Sequence, residues 1–388
     1  MRTNGKRLLC VFLAVVAVCS AVFLSACSAD TTAPVMTYQS ASVTEAMYRY
    51  WVSTYKTYFL SMLGGQDTEE FLSAPWEITP DDGTEPVKTT VGAYIEDRIS
   101  EIIRNNCVSL YLFRAYGLSL PAAVKNDVKR AIDSELENAG GRKALNEALA
   151  PIGLNAALLE EIYLAEEKIS MVYTYLYGET VKSAAGDLVL TDGAEPIPAE
   201  RYEDFYQKHY VCVKHVYIRT KDKNVLDSNG NVQYDENGAL VTAELTEEEA
   251  AEKIALCDKV MEEANNGARF DALVELYSED AGRHLYPDGY ILSRSSVLPE
   301  EFVSAAFDME IGELRRVDAS YATHIMLRTE LPEAAWKSGT YADMLDGFTD
   351  FVKTEVYAEK IAPMLENIVC DSELAEKYTV FTVPTTRY

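Results

Sequence analysis

Val211-Cys212-Val213-Lys214-His215-Val216-Tyr217-Ile218 is the stretch on which the reading of this chain turns. Val211, Val213, His215 and Tyr217 alternate with Cys212, Lys214, Val216 and Ile218, and a period of two places each set on one face of a strand. Leu314 to Ala319 and Thr323 to Thr329 read as two more strands. Between them the period is helical, over Thr246 to Asn265, Phe270 to Tyr277 and from about Pro299 to Phe307. The segment 221–245 carries Asp-Ser-Asn-Gly and Asp-Glu-Asn-Gly, each a hairpin turn signal.

Outward from this island the chain reads as helix. Ser42 and Glu45 fit a capping box for a helix over 42–63, with Met47, Trp51, Tyr55, Phe59 and Met62 on one face. Residues 64–88 read as a loop. A long helix runs from about Thr90 to Tyr116 and stops at Gly117. Others are expected after Pro121 up to Gly140-Gly141, over Lys143 to Leu149, and from Asn155 to Tyr177. Residues 179–197 read as a linker, Pro198 opens a further helix, and Tyr341 to Ile368 is helical again with an extended tail. Helix, mixed island, helix predicts an α+β chain: an all-α module formed by N- and C-terminal helices, with an inserted domain.

The formal charge is −27 with 25 Tyr and only four His. A surface this acidic excludes nucleic acid as the expected partner, because phosphate binding needs a basic face. Of the seven Cys, Cys107, Cys212, Cys257 and Cys370 lie in the body of the chain. They form no C-x-x-C pair, so they give no zinc spacing, and isolated Cys read as buried apolar residues.

The first residues have a separate logic. Arg2, Lys6 and Arg7 precede an uncharged apolar run from Leu8 to Leu24, then Leu24-Ser25-Ala26-Cys27. That layout is a secretory signal. A retained membrane helix is the competing reading, but the run is slightly short for the ~20 residues of a span. The Leu-Ser-Ala-Cys ending resembles the lipobox of bacterial lipoproteins. The resemblance implies that residues 1–26 are removed, that Cys27 is acylated, and that the protein sits on the outer face of the cell membrane. Residues 27–40 would be a flexible tether.

The island resembles the parvulin family of peptidyl-prolyl isomerases, in order along its whole length. Lys214-His215-Val216-Tyr217-Ile218 looks like the first strand with its histidine. Phe270-Asp271-Ala272-Leu273 with Tyr277-Ser278-Glu279-Asp280 resembles the segment ending in the active-site acid. Leu298-Pro299-Glu300-Glu301-Phe302 followed by Ala305-Ala306-Phe307 is similar to the proline-pocket helix, Gly312-Glu313 to the next turn, and Thr323-His324-Ile325-Met326-Leu327-Arg328-Thr329-Glu330 to the final strand. This implies a parvulin domain of FKBP-like βα3βαβ2 type over 210–330. The catalytic residues would be His215, Asp280 and His324, and the substrate wall Leu298, Phe302 and Tyr321. No cofactor and no metal is implied. The helical flanks, 41–209 and 331–388, are similar to those of PrsA- and SurA-type foldases. There they would form a chaperone module, the C-terminal helix and tail packing on the N-terminal domain, with a homodimer left open. The partners implied are unfolded or newly exported polypeptides containing proline, and the membrane through Cys27.

The physical task matches these residue types. Rotation about X-Pro meets a barrier of ~18–20 kcal/mol and takes tens of seconds or more unaided. No covalent step is needed, only a pocket that binds the twisted amide best. The plainer reading of each residue is core or cap: a strand His satisfied in the interior, Asp280 closing a loop, Leu298 and Phe302 packing at helical spacing. Two His at both family positions favour the site. His209 and His284 match no family catalytic position and read as surface. The chain departs from the family at Leu285-Tyr286-Pro287-Asp288-Gly289, at Ala322 and in the enlarged hairpin insert, which reshapes the rim. Lys221 and Lys223 are followed by acids, so no preference for phosphorylated substrates is expected. Two other readings stand beside the isomerase: a non-catalytic holdase that keeps the fold, and a solute-binding lipoprotein. The long helical start argues against the latter, whose βα repeats are absent.

Overall fold

A computed structural model describes residues 33–78, 85–183, 187–236, 238–319 and 322–386. The Cys27 and Tyr321 expectations lie outside these residues. The chain forms two compact units. One comprises the described residues up to Glu179, Asp192–Pro196 and Thr354 onward; the other comprises Thr180–Thr191 and Ile197–Lys353.

The first unit opens with strands β1 (Pro34–Tyr38) and β2 (Ala41–Thr44), then α1 (Glu45–Met62), α2 (Glu69–Leu72), strands β3 (Pro75–Ile78) and β4 (Val87–Thr90), α3 (Val91–Ala115), α4 (Ala122–Ala139), α5 (Arg142–Leu149) and α6 (Ala156–Tyr177). Its core is aliphatic and aromatic: Trp51, Ile95, Ile103, Leu145, Leu149 and Leu159 are wholly enclosed. The helix punctuation is local chemistry. Asn155 caps α6 by accepting from Ala157 and Leu158 N–H, and Gly140 ends α4 in the left-handed region.

The second unit holds a β5 (Thr180–Lys182), β6 (Leu188–Leu190) hairpin, α7 (Ala199–His209), β7 (Tyr210–Arg219), a β8 (Asp222–Asn224), β9 (Thr242–Glu244) ribbon, α8 (Glu247–Asn265), α9 (Phe270–Tyr277), β10 (Tyr290–Ser293), α10 (Glu300–Asp308), β11 (Leu314–Asp318) and β12 (Ala322–Thr329). Strands β10-β7-β12-β11 make one antiparallel sheet. Helix α11 (Phe348–Leu365) begins in this unit and ends in the first, which β13 (Val369–Cys370) and α12 (Ser372–Lys377) complete.

Several expectations are corrected. The N-terminal module is not all-α: β1 pairs with β2 and with β13, and Val35, Met36 and Val43 are buried. The tether therefore does not reach residue 40. Strand pairing also takes Ser42, opposite Thr37, so Thr44 rather than Ser42 caps α1, its Oγ1 accepting from Met47 N–H. The 64–88 loop holds α2 and the β3–β4 strands. The domain limits at 209 and 331 shift as well, because α7 and residues 331–353 join the second unit. Their aromatic side chains supply the reason. Trp336 stacks on Phe348 at 5.4 Å and meets Tyr206 edge-on at 5.1 Å, with Tyr210 against both Tyr206 and Phe348. Cys107, Cys212 and Cys257 are buried, whereas Cys370 is exposed.

Candidate active site

The period-two reading of β7 decides what this sheet can carry. Tyr217 lies opposite His324 and Met326 opposite His215, while Val213 lies opposite Tyr290 of β10. These side chains share one face. Helix α10 covers it, packing Phe302 and Ala306 on Val211, Val213, Leu292, Val317 and Met326. The other face, with Val216, Ile218 and Ile325, is covered by α8 and α9 through Val260, Phe270 and Leu273. The histidines are thus held on a sheet buried on both sides.

Asp280 arrives from the end of α9. Ser278 Oγ accepts from Tyr217 N–H, and Glu279 N–H donates to Tyr217 O, so the segment after α9 runs along β7 beyond the end of β10. Asp280 Oδ1 then accepts from Gly282 N–H at 2.8 Å, capping a short 3₁₀ turn. Gly289 opens β10 where a Cβ would come 2.7 Å from Val213 O, with φ of +110°. Only Gly lets the backbone pass this close and set Tyr290 beside the acid.

The geometry is a short relay. Asp280 Oδ2 accepts from Tyr290 OH at 2.5 Å and lies 3.2 Å from His215 Nε2. His215 Nδ1 faces His324 Nδ1 at 3.0 Å, the rings within 7° of coplanar orientation. Phe302 packs against both rings, at 5.1 and 4.8 Å between centroids. Burial alone would raise the Asp280 pKa, but the hydrogen bonds from His215, Tyr290 and Gly282 outweigh it and hold the carboxyl at about 2. Burial, reinforced by His215, pushes His324 down to about 4. Burial and the bond to Asp280 raise the Tyr290 phenol.

These directions set the protons near neutral pH. An ionised Asp280 only accepts, so His215 carries its proton on Nε2. Its Nδ1 faces the Nδ1 of His324, an imidazole that burial keeps neutral. His324 Nε2 is buried and has no hydrogen-bond partner among the described residues.

A cavity of about 190 Å³ opens over this floor, lined by His215, Tyr217, Asp280, Tyr290, Leu298, Pro299, Phe302 and His324. It brings together five of the residues singled out in the sequence. Tyr217, Tyr290 and Pro299 were not named for the site. Tyr217 follows His215 by two along a strand, which is signal enough to place it on that face; Tyr290 is found only by its tertiary bond. His284 is exposed beside Glu275, and His209 is half-buried against Phe205, so the surface reading holds for the first alone. Among the described residues no group of His, Cys, Asp and Glu is arranged to hold a metal ion.

No family model and no curated protein matches the chain. Solved structures do. PrsA from Bacillus subtilis matches at 15% identity over 77% of this chain and 89% of its own, with a TM-score of 0.22. The foldase protein PrsA from Streptococcus pneumoniae matches at 18% identity, over 79% and 100%, with a TM-score of 0.23. A structure of SurA-like chaperones from Campylobacter jejuni matches at 15%, over 85% and 94%, with a TM-score of 0.17. The chain is similar to PrsA- and SurA-type proteins at identities and TM-scores that carry no function across, so its function is read from the side chains.

Proposed function

We propose that this chain is a foldase whose second unit isomerises X-Pro bonds in exported polypeptides, with the isomerase in residues 210–330 and a lipid on Cys27 holding the protein at the outer face of the membrane. The observation that carries the reading is the coplanar His215–His324 pair, tied to an ionised Asp280 beneath an apolar wall of Leu298, Pro299 and Phe302. The wall takes the proline ring. The floor acts on the amide. A planar amide places partial negative charge on oxygen, and twisting the C–N bond returns it. A desolvated floor bearing the Asp280 charge and the buried, neutral His324 ring offers that oxygen little solvation. The planar form loses more than the twisted form, and the barrier falls. Tyr290 and Gly282 hold the carboxylate in place, and no proton needs to leave the site.

The test is proline-limited refolding of a model client with His215→Ala, Asp280→Ala and His324→Ala. Loss of acceleration in these variants supports the assignment; unchanged rates in all three sink it. One observation favours a second reading. Leu298, which lines the cavity, is 43% exposed, and Val297 before it in the chain is fully exposed. Apolar residues in such a position bind a client whether or not a bond is turned. A wild type that suppresses client aggregation without isomerase activity would establish a holdase.

A further inference from the structure

The first unit holds its own C-terminal segment in an unusual way. Residues Thr379–Thr385 lie against α1, α3 and the loop that joins α1 to α2. Ser53 Oγ donates to Pro384 O at 2.7 Å, and Lys56 Nζ donates to Val383 O at 2.9 Å. Val380 N–H donates to Glu96 Oε2 at 2.7 Å, and Thr385 N–H to Asp67 Oδ2 at 3.1 Å. All four bonds run from side chains of the body to main-chain atoms of the segment. Side-chain contact is confined to apolar burial: Val380 is fully enclosed and Val383 nearly so. Phe381 lies over Gly92, where a Cβ would meet its Cζ at 2.5 Å. Gly in the first turn of α3 costs helix stability and makes room for the ring.

Two details separate this from ordinary packing. Lys56 is 2% exposed, and its ammonium is shared between Asp67 at 2.5 Å and the carbonyl of the Val383–Pro384 amide itself. Asp67 offsets the buried charge, and the same ammonium reaches a main-chain carbonyl where an apolar contact would avoid the desolvation altogether. Main-chain bonds with pockets for two apolar side chains are how proteins bind peptides whose sequence varies.

We infer that this groove is a receptor for proline-containing apolar segments of client chains, of the pattern apolar-x-x-apolar-Pro, and that Val380-Phe381-Thr382-Val383-Pro384 is its resident occupant, exchanged for a client. The inference rests on the foldase reading for the source of such segments and deepens it by giving the client a place in the first unit.

The probe is a fluorescein-labelled peptide of residues 379–386, titrated by anisotropy into the full chain. Val380→Ser with Val383→Ser loosens the tail and leaves the groove intact. That variant binds the peptide at least tenfold more tightly than the wild type, and adding Lys56→Met abolishes the gain. A folded double variant that binds no better overturns the inference. If the double variant does not fold, amide exchange in the wild type decides. Peptide at several millimolar matches the effective concentration of a tethered tail, of order mM. It then speeds exchange across residues 379–385 at least tenfold, and unchanged exchange overturns the inference. Neither readout depends on turning a bond. Inactive histidine variants with normal peptide binding, or the converse, separate failure here from failure of the isomerase assignment.

Discussion

Replacing Asp280 by Asn tests the electrostatics of the site without disturbing its shape. Asn keeps the oxygen that caps the 3₁₀ turn through Gly282 and removes the charge that His215 and Tyr290 hydrogen-bond. The carboxyl is held at about 2 against an ordinary 3.8, and its side chain is only 20% exposed. That lowering corresponds to roughly 2 kcal/mol favouring the folded state when the group is ionised. The sign follows from a depressed folded pKa. The stabilisation is complete above the unfolded value of 3.8 and disappears as pH falls through about 2. Amide exchange of β7 and β12, read by mass spectrometry, reports the second unit alone. At pH 7 the variant's globally exchanging amides are expected to exchange about 30-fold faster, the equivalent of roughly 2 kcal/mol. At pH 2.5 the factor shrinks to about fourfold, since the unfolded carboxyl is then protonated and the folded one lies only about half a pH unit above its pKa. An equal factor at both pH values, or none at pH 7, would refute the charge-based account.

Two further outcomes are expected. Phe302→Ala removes a ring that is 2% exposed and packs on both imidazoles, so it should cost about 3–5 kcal/mol and abolish proline selectivity; a loss under about 1 kcal/mol in urea unfolding would show that α10 does not seal this face. In the first unit Glu166 accepts from Trp51 Nε1, and burial lifts its pKa to about 7. A raised carboxyl favours folding below its unfolded pKa and loses that advantage as pH climbs through 7. Wild-type urea midpoints should therefore fall between pH 5 and 8.5 relative to Glu166→Gln, and parallel midpoints would contradict this.

What was legible in the sequence was whatever depends on neighbours along the chain. Alternation gave β7 and its two faces, helical spacing gave α9 as Phe270–Tyr277, and the Asn-Gly pairs gave turns in which Gly230 and Gly238 take positive φ. What was missed depends on partners far away. Strands β1 and β13 are short and pair only because segments far apart in the sequence meet, with Met36 opposite Cys370. Ser42-x-x-Glu45 fits a capping box, yet pairing with Thr37 claims Ser42 and leaves the cap to Thr44. Nothing along the sequence marks Tyr290, whose role appears only when its hydroxyl meets Asp280. The aromatic seam of Tyr206, Trp336 and Phe348 moved the domain limits by joining side chains from both flanks of the island.

Most of this chain obeys the rule that cores are apolar, so its exceptions are informative. In the second unit His324 buries a ring nitrogen that has no hydrogen-bond partner among the described residues, at a cost of about 1–3 kcal/mol. In the first, Lys56 buries an ammonium between Asp67 and a main-chain carbonyl. Apolar replacements at either place would pack with less penalty if folding were the only demand. These two are aimed at the same kind of object. His324 and its relay lie under a cavity with an apolar wall sized for a small ring, and Lys56 holds the carbonyl of a Val-Pro amide. A protein that handles many unfolded chains cannot rely on their side chains, which differ. It can rely on the amide and on the proline ring, which do not. Buried polar groups directed at those two features are what such a task requires, and their presence in both units ties the proposed isomerase and the proposed receptor to one substrate chemistry.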